Sequence, residues 1–220
     1  MLAYDFISED ISPLKTSDTG IQAIQMMEEY RVNHLPIVND SDLLALISED
    51  DVLEYENPED PVGAMPISHS RQYVKDYQHI LEVFRIMYLQ RLTLIPVVNK
   101  NDKYLGSITL HDLMFKIGEY DMFQNPGGII VLEINTRDYS AGEIVRIIES
   151  NDSTMLGLIT NSMQDTTIMT VTIKVNKLDI TPILQTFYRF NYTVSASFGQ
   201  NDYNDLLSDR YDSLMNYLSI

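Results

Sequence analysis

Two stretches of the chain carry the same run of apolar positions entered through a proline. The first is HLPIVND, His34 to Asp40, and the second is LIPVVNK, Leu94 to Lys100; Pro36 and Pro96 stand 60 residues apart (96 − 36). Upstream of each run, apolar residues recur at helical spacing: Ile21, Ala23, Ile24, Met26, Met27 and Tyr30 before the first, Ile80, Val83, Phe84 and Met87 before the second. Each predicted helix ends in a short polar link containing Arg31 or Arg91. The residue before a proline is pushed into extended geometry, which suits a switch from helix to strand. Downstream, LLALISEDDVL (Leu43 to Leu53) matches YLGSITLHDLM (Tyr104 to Met114) at an offset of 61, so the second polar turn is one residue longer.

Each copy therefore reads as helix, strand, tight turn, strand, helix. A further short strand is expected ahead of each, around Ile11 and between Ile67 and Val74. A unit this small cannot bury a helical face and a sheet face alone, whereas two copies packed on each other can. The repeats are placed at residues 1–60 and 61–123, with a cleft between them toward which two equivalent helix starts point.

Beyond the repeats the pattern changes. GEYDMFQNPG, residues 118–127, reads as a linker rich in turn signals. GIIVLEINT is a predicted strand, and YSAGEIVRIIESND a helix with Ile144, Ile147 and Ile148 on one face. MLGLITNSMQ and TIMTVTIKVN are strands. DITPILQTFYRFN is a helix capped by Asp179 or Thr181 with Pro182 in its first turn, and YTVSASFG is a last strand. The order over residues 124–200 is β-α-β-β-α-β, a ferredoxin-like module. The tail, residues 201–220, predicts a final helix with Leu207, Tyr211, Leu214 and Leu218 on one stripe. The fold class is α+β: two β-α-β-β-α repeats followed by a ferredoxin-like βαββαβ domain.

Composition narrows the function classes. The chain of 220 residues has 15 basic and 32 acidic side chains, a net charge of −17, so its field repels phosphate backbones and a nucleic-acid partner is not expected. The excess acid is concentrated in the repeats: residues 1–123 hold 9 basic and 21 acidic side chains, residues 124–220 hold 6 and 11. The absence of cysteine removes disulfides, thiol nucleophiles and cysteine metal sites. No apolar run reaches membrane-spanning length and MLAYDFISED lacks the features of a secretion signal, so a cytoplasmic protein with no membrane partner is expected.

No nucleotide-loop, zincin or serine-hydrolase motif occurs, the four histidines are not at metal-ligand spacing, and neither catalysis nor a metal is expected. Two junctions do stand out. Ser48 and Asp51 are three residues apart at a strand-to-helix junction, and so are Thr109 and Asp112. This is capping-box spacing with Asp in the acidic position, and capping alone would account for it. The same geometry offers free N–H groups to a phosphate and a carboxylate to vicinal sugar hydroxyls.

Taken together, Arg91, Pro96, Val97, Val98, Gly106, Ile108, Thr109, Asp112 and Leu113 resemble the CBS domain. So do Arg31, Pro36, Ile37, Val38, Ile47, Ser48, Asp51 and Val52, with Ala45 where glycine is usual. Residues 1–120 thus resemble a tandem CBS pair, a Bateman module. The resemblance implies an adenosine-type ligand (AMP, ADP, ATP or S-adenosylmethionine) held by Ser48, Asp51, Thr109 and Asp112, with Arg91 in the motif and His111 beside it. Three acids follow Ser48, so a multiply charged phosphate would meet repulsion there, softened by Lys15, Arg31 or a divalent cation. The site at Thr109 and Asp112 is therefore expected to be the better phosphate acceptor.

Residues 128–198 resemble the ACT domain through NTRDYSAGEIVRIIESND, with Gly142 in the family's glycine position. That resemblance implies a weak amino-acid site at Tyr139, Ser140, Ala141 and Gly142, or a loop that merely turns the chain. The combination is similar to acetoin-utilisation-type CBS proteins. It implies a homodimer that regulates an enzyme or transporter in trans; the alternative is a dimerisation scaffold with vestigial clefts.

Overall fold

The computed structural model describes residues 1–67, 72–162 and 167–200. The chain forms two compact units, Met1–Gly118 and Glu119–Ile220. The predicted tail helix at 201–220 lies outside the described residues, as do residues 68–71 of the strand expected before Val74.

In the first unit, one copy comprises α1 (Gly20–Tyr30), β1 (His34–Asn39), β2 (Asp42–Ser48) and α2 (Glu49–Leu53). The other comprises β3 (Val74–Lys75), α3 (Ile80–Gln90), β4 (Leu94–Val98), β5 (Tyr104–Thr109) and α4 (Leu110–Gly118). Thr19 opens α1 with a reciprocal capping box to Gln22. The helix buries Ala23 and Met27, while Ile21, assigned to the same stripe, is 41% exposed. In α3, Ile80, Val83 and Met87 are buried. Both helices stop at an arginine in the left-handed region, Arg31 at φ 56° and Arg91 at φ 53°, a conformation that ends the helical hydrogen-bond ladder.

The duplication extends to irregularities. β1 pairs with β2 from His34↔Ser48 to Ile37↔Ala45 and then slips to Val38↔Leu43. β4 pairs with β5 from Leu94↔Thr109 to Val97↔Gly106 and slips to Val98↔Tyr104. Each copy thus carries a bulge at the same place, at Leu44 and Leu105. The strand expected before α1 is reduced to one parallel bridge, Leu14↔Ile37, held by Leu14 N–H to Pro36 O and Val38 N–H to Leu14 O, both 2.8 Å. Its counterpart is β3, paired parallel to β4 through Val74↔Val97 and Lys75↔Val98.

A single apolar cluster takes Leu35, Ile37, Leu46 and Ile47 from one copy and Leu94, Ile95, Val97 and Ile108 from the other. The two hairpins also meet edge to edge: Tyr104 N–H reaches Ser41 O at 2.8 Å and the Lys103 ammonium sits 2.6 Å from Asp42 Oδ1. A shared core is what two incomplete units need to be stable together.

The second unit contains α5 (Asp121–Gln124), β6 (Ile129–Asn135), α6 (Ala141–Glu149), β7 (Met155–Ser162), β8 (Ile168–Val175), α7 (Thr181–Arg189) and β9 (Thr193–Phe198). Its sheet runs β7-β8-β6-β9 with antiparallel neighbours. Alternate residues Ile130, Leu132 and Ile134 of β6 and Val171, Ile173 and Val175 of β8 form a core with Ile144, Ile147 and Ile148 of α6 and Ile183 and Phe187 of α7. The segment 118–127, expected as a plain linker, contains the turn of helix α5. Met122 from that turn lies over Gly157 of β7, where a Cβ would come within 2.5 Å of its sulfur.

Candidate functional site

At the second copy, β5 ends at Thr109 and α4 carries Asp112 in its first turn. Thr109 Oγ1 accepts the Asp112 N–H at 3.0 Å and donates to Asp112 Oδ2 at 2.8 Å. A third residue completes the cluster. Ser8, at the end of the N-terminal segment, donates its hydroxyl to Asp112 Oδ2. Its oxygen also receives the Thr109 N–H at 3.4 Å. The Ser8 N–H is held by Ser107 O at 2.8 Å. Beside it, Ile7 packs against Gly106, where a Cβ would lie 2.4 Å from Ile7 Cγ2.

Burial pushes the Asp112 carboxyl up, but hydrogen bonds from Ser8, Thr109 and His111 outweigh it and leave the group below the ordinary range. His111 Nδ1 stands 3.6 Å from Asp112 Oδ1, and its ring leans on Phe115 at 4.7 Å.

The first copy closes its junction differently. Ser48 Oγ accepts the Asp51 N–H at 3.1 Å and Asp51 Oδ2 accepts the Ser48 N–H at 2.9 Å, a complete capping box. Here the acid itself takes the N–H that Ser8 takes in the other copy. In front of this junction lies a cleft of about 440 Å³. Asn33 and His34 from the start of β1, Ser48 and Asp51 from the β2–α2 junction, and Gln90 and Arg91 from the end of α3 line it. Glu49, Asp50 and Glu54 add three further carboxylates.

His34 is buried. Its Nδ1 lies 3.0 Å from Thr93 Oγ1 and receives the Thr93 N–H at 3.4 Å. Asn33 Nδ2 donates to Glu49 Oε2 at 2.6 Å.

The predicted candidates thus fall into two places. Ser48, Asp51 and Arg91 share one cleft; Thr109, Asp112 and His111 form a compact cluster with Ser8. Lys15 and Arg31, expected to offset the acids after Ser48, are exposed and do not line the cleft. The cation there is Arg91, supplied by the other copy. Asn33, His34, Gln90 and Ser8 were not singled out by sequence reasoning. Ser8 belongs to no motif, and it reaches Asp112 across a sequence separation of 104.

In the second unit, Ser140 caps α6 by accepting the Glu143 N–H at 3.3 Å. Tyr139 packs against the core, while Ala141 and Gly142 are at least partly exposed on the first turn, with open space where a Gly142 Cβ would stand. Nearby, the Tyr192 hydroxyl donates to Glu143 Oε2 at 2.6 Å. Among the described residues, no group of three or more His, Asp or Glu could hold a metal ion, and no helix is long and apolar enough to cross a membrane.

A duplicated helix–hairpin–helix unit of matching register, with a hydroxyl and an acid at each strand-to-helix junction, defines a class. The CBS domain family signature matches residues 3–57 and 63–119, about half of the chain, and the chain belongs to the CBS domain family, as a tandem pair. Among curated proteins, an inosine-5'-monophosphate dehydrogenase of Methanocaldococcus jannaschii is 27% identical over 113 residues, which take in 51% of this chain and 23% of that protein. The match therefore spans under a quarter of that relative's length. Similar solved structures include a CBS domain pair/ACT domain protein from Thermotoga maritima, 18% identical, covering 54% of this chain and 98% of that one at a TM-score of 0.48. They also include the CBS domains of a transcriptional regulator from Streptococcus pneumoniae, 19% identical, covering 52% and 98% at a TM-score of 0.46. CBSX2 in complex with AMP is 21% identical, covering 53% and 95% at a TM-score of 0.44.

Proposed function

We propose that this CBS pair is a non-catalytic sensor of an adenosine-type nucleotide, and that its ligand state is read by an enzyme or transporter in trans. The observation that carries this reading is the cleft of about 440 Å³ in which Ser48, Asp51 and Arg91 meet Asn33 and His34. Its volume suits a small ligand. Arg91 and the Asn33 amide are donors for a phosphate, and Asp51 is an acceptor for sugar hydroxyls. Four carboxylates (Glu49, Asp50, Asp51 and Glu54) against one guanidinium favour AMP or S-adenosylmethionine over ATP there. Because the lining comes from both copies, a bound ligand bears on their relative placement, and differential affinity for two placements is what a switch requires.

The second unit is proposed to be an ACT-like, ferredoxin-like module that relays the change, consistent with its β-α-β-β-α-β order and with the acetoin-utilisation-type resemblance. The pair is proposed to dimerise through α3 and α4, where Leu81, Tyr88, Leu89 and Leu110 line an apolar groove and Met114 and Phe115 of α4 are exposed. The test is calorimetric titration with AMP, ADP, ATP and S-adenosylmethionine, paired with thermal unfolding. Micromolar AMP or S-adenosylmethionine binding, weakened about ten-fold in Arg91→Gly, is expected. A flat response to all four at millimolar concentration would leave a dimerisation scaffold.

A further inference from the structure

Directly opposed residues of neighbouring strands share a face, so the register of the second unit's sheet sorts its side chains. One face packs on α6 and α7 through Ile130, Leu132, Val171 and Ile173. The other carries two rows with apolar members. The first row is Ile159, Thr172, Val131 and Ala196; the second is Gly157, Lys174, Ile129 and Phe198. At the β7 end of the second row, Met122 of α5 lies over Gly157, and Lys174 Nζ reaches Gly127 O at 2.8 Å. The rest of the two rows is open. Ile159 is 50% and Phe198 56% exposed, and Ile129, Val131 and Ala196 are partly exposed. Adjoining apolar rows on one face of a sheet are a surface that a second layer covers.

The chain carries a cover of matching chemistry. β9 ends at Phe198, the Gln200 N–H is held by Leu178 O at 2.9 Å, and residues 201–220 follow. In that sequence Leu207, Tyr211, Leu214 and Leu218 recur at spacings of 4, 3 and 4, and Asp202, Asp205, Asp209 and Asp212 at 3, 4 and 3. At about 100° per residue the two sets fall on opposite sides of a helix. A lone helix of this length is marginal in water and takes its stability from packing its apolar stripe. From Leu207 to Leu218 is about 16 Å of helix, and the four strands span about 14 Å from β7 to β9. Phe198 ends an edge strand and belongs to the open face, so the segment starts at the border of the surface it fits. A tethered segment meets that surface at roughly millimolar effective concentration, which favours it over a second copy of the chain.

We propose that residues 201–220 cover this face: the segment turns back after Gln200 and lays Leu207, Tyr211, Leu214 and Leu218 on the two rows, with its aspartates toward water. The second unit then has three layers, and its sheet is closed to a second copy. The contact is independent of any nucleotide in the first unit.

The chain has no cysteine, so an introduced pair reports one contact. In the full-length protein, Thr172→Cys, at a partly exposed position in the middle of the first row, is combined in turn with Leu207→Cys, Leu214→Cys and, on the aspartate side, Asp209→Cys. Each is oxidised at micromolar protein and run on a non-reducing gel. A disulfide needs Cα atoms within about 7 Å, so a bond within one chain is expected for Leu207 or Leu214 and lost for Asp209. A bond between chains puts a second copy on the face and overturns the proposal, and so does equal bonding at all three positions or at none. A second measurement uses no cysteine. Leu207→Asp and Leu214→Asp in the full chain should uncover the rows and raise the fluorescence of anilinonaphthalene sulfonate, while Asp209→Asn should not. An unchanged signal in both leucine variants would also overturn the proposal.

Discussion

Thr93 of the second copy accepts the backbone N–H of Asn33 of the first at 2.8 Å, and its hydroxyl also contacts His34 Nδ1 at 3.0 Å. One side chain thus ties the start of β1 to the start of β4 beside the open cleft. Thr93→Val keeps the shape and removes the oxygen, taking the acceptor from the Asn33 N–H and one contact from His34 Nδ1, which keeps the Thr93 N–H. A loss of about 0.5–1.5 kcal/mol in urea unfolding is expected, and AMP affinity should fall with it. Equal stability in the two proteins would mean that water replaces the tie.

Gly106 and Ala45 hold equivalent positions opposite Val97 and Ile37. Ala is tolerated in the first copy, but in the second the backbone stands at φ 155°, which L side chains rarely adopt, and a methyl would also meet Ile7 Cγ2 at 2.4 Å. Gly106→Ala should lower stability by about 1–3 kcal/mol, and Ile7→Ala in the same chain should recover part of it. The double-mutant cycle checks this: strict additivity would place the clash elsewhere.

Arg91 occupies a left-handed helix cap at φ 53°, a conformation glycine adopts without strain. Arg91→Gly should therefore keep or slightly raise the melting temperature while weakening AMP binding. A fall in both would show that the guanidinium is part of the fold.

Asp112 is acidic beyond its ordinary value of 3.8 because the Ser8, Thr109 and His111 hydrogen bonds outweigh the effect of burial. A carboxyl whose folded pKa is depressed contributes stability above its unfolded pKa and loses it as pH falls through the folded value. The stability difference between wild type and Asp112→Asn should be constant from neutral pH down to about 5 and shrink below about 4. A difference that persists unchanged at lower pH would contradict the assignment.

Tyr192 follows the opposite sign. Burial and the bond to Glu143 push its phenol above the ordinary value of 10.0. A group with a raised folded pKa contributes stability below its unfolded pKa and loses it as pH rises. Tyr192→Phe should cost about 1.5 kcal/mol at pH 7, and the gap should narrow above pH about 10. Ultraviolet titration should show the same number of tyrosines ionising near pH 10 in folded wild type and in folded Tyr192→Phe, because Tyr192 does not titrate there.

What the amino-acid order alone determined was everything written in neighbouring residues. Apolar spacing, the prolines at 36 and 96, and the hydroxyl-x-x-acid steps placed the repeated helices and hairpins and the caps at Ser48 and Thr109, because these depend on dihedral preference and on which residues share a face; helix α5, read as linker, and the cap of α7, which is Ile180 and not Asp179 or Thr181, were not written there. The offset of 60 becoming 61 even located the longer turn. Periodicity misled at Ile21, which faces outward because neighbouring elements, not the helix itself, choose which part of an apolar stripe is covered. Tertiary structure alone decided the chemistry of the two junctions. It set Arg91 of one copy before Ser48 and Asp51 of the other, and it laid Ser8 on Asp112. Those pairings join residues far apart in the chain, and they arise from packing two incomplete units around one core, a geometry that no local window of sequence encodes.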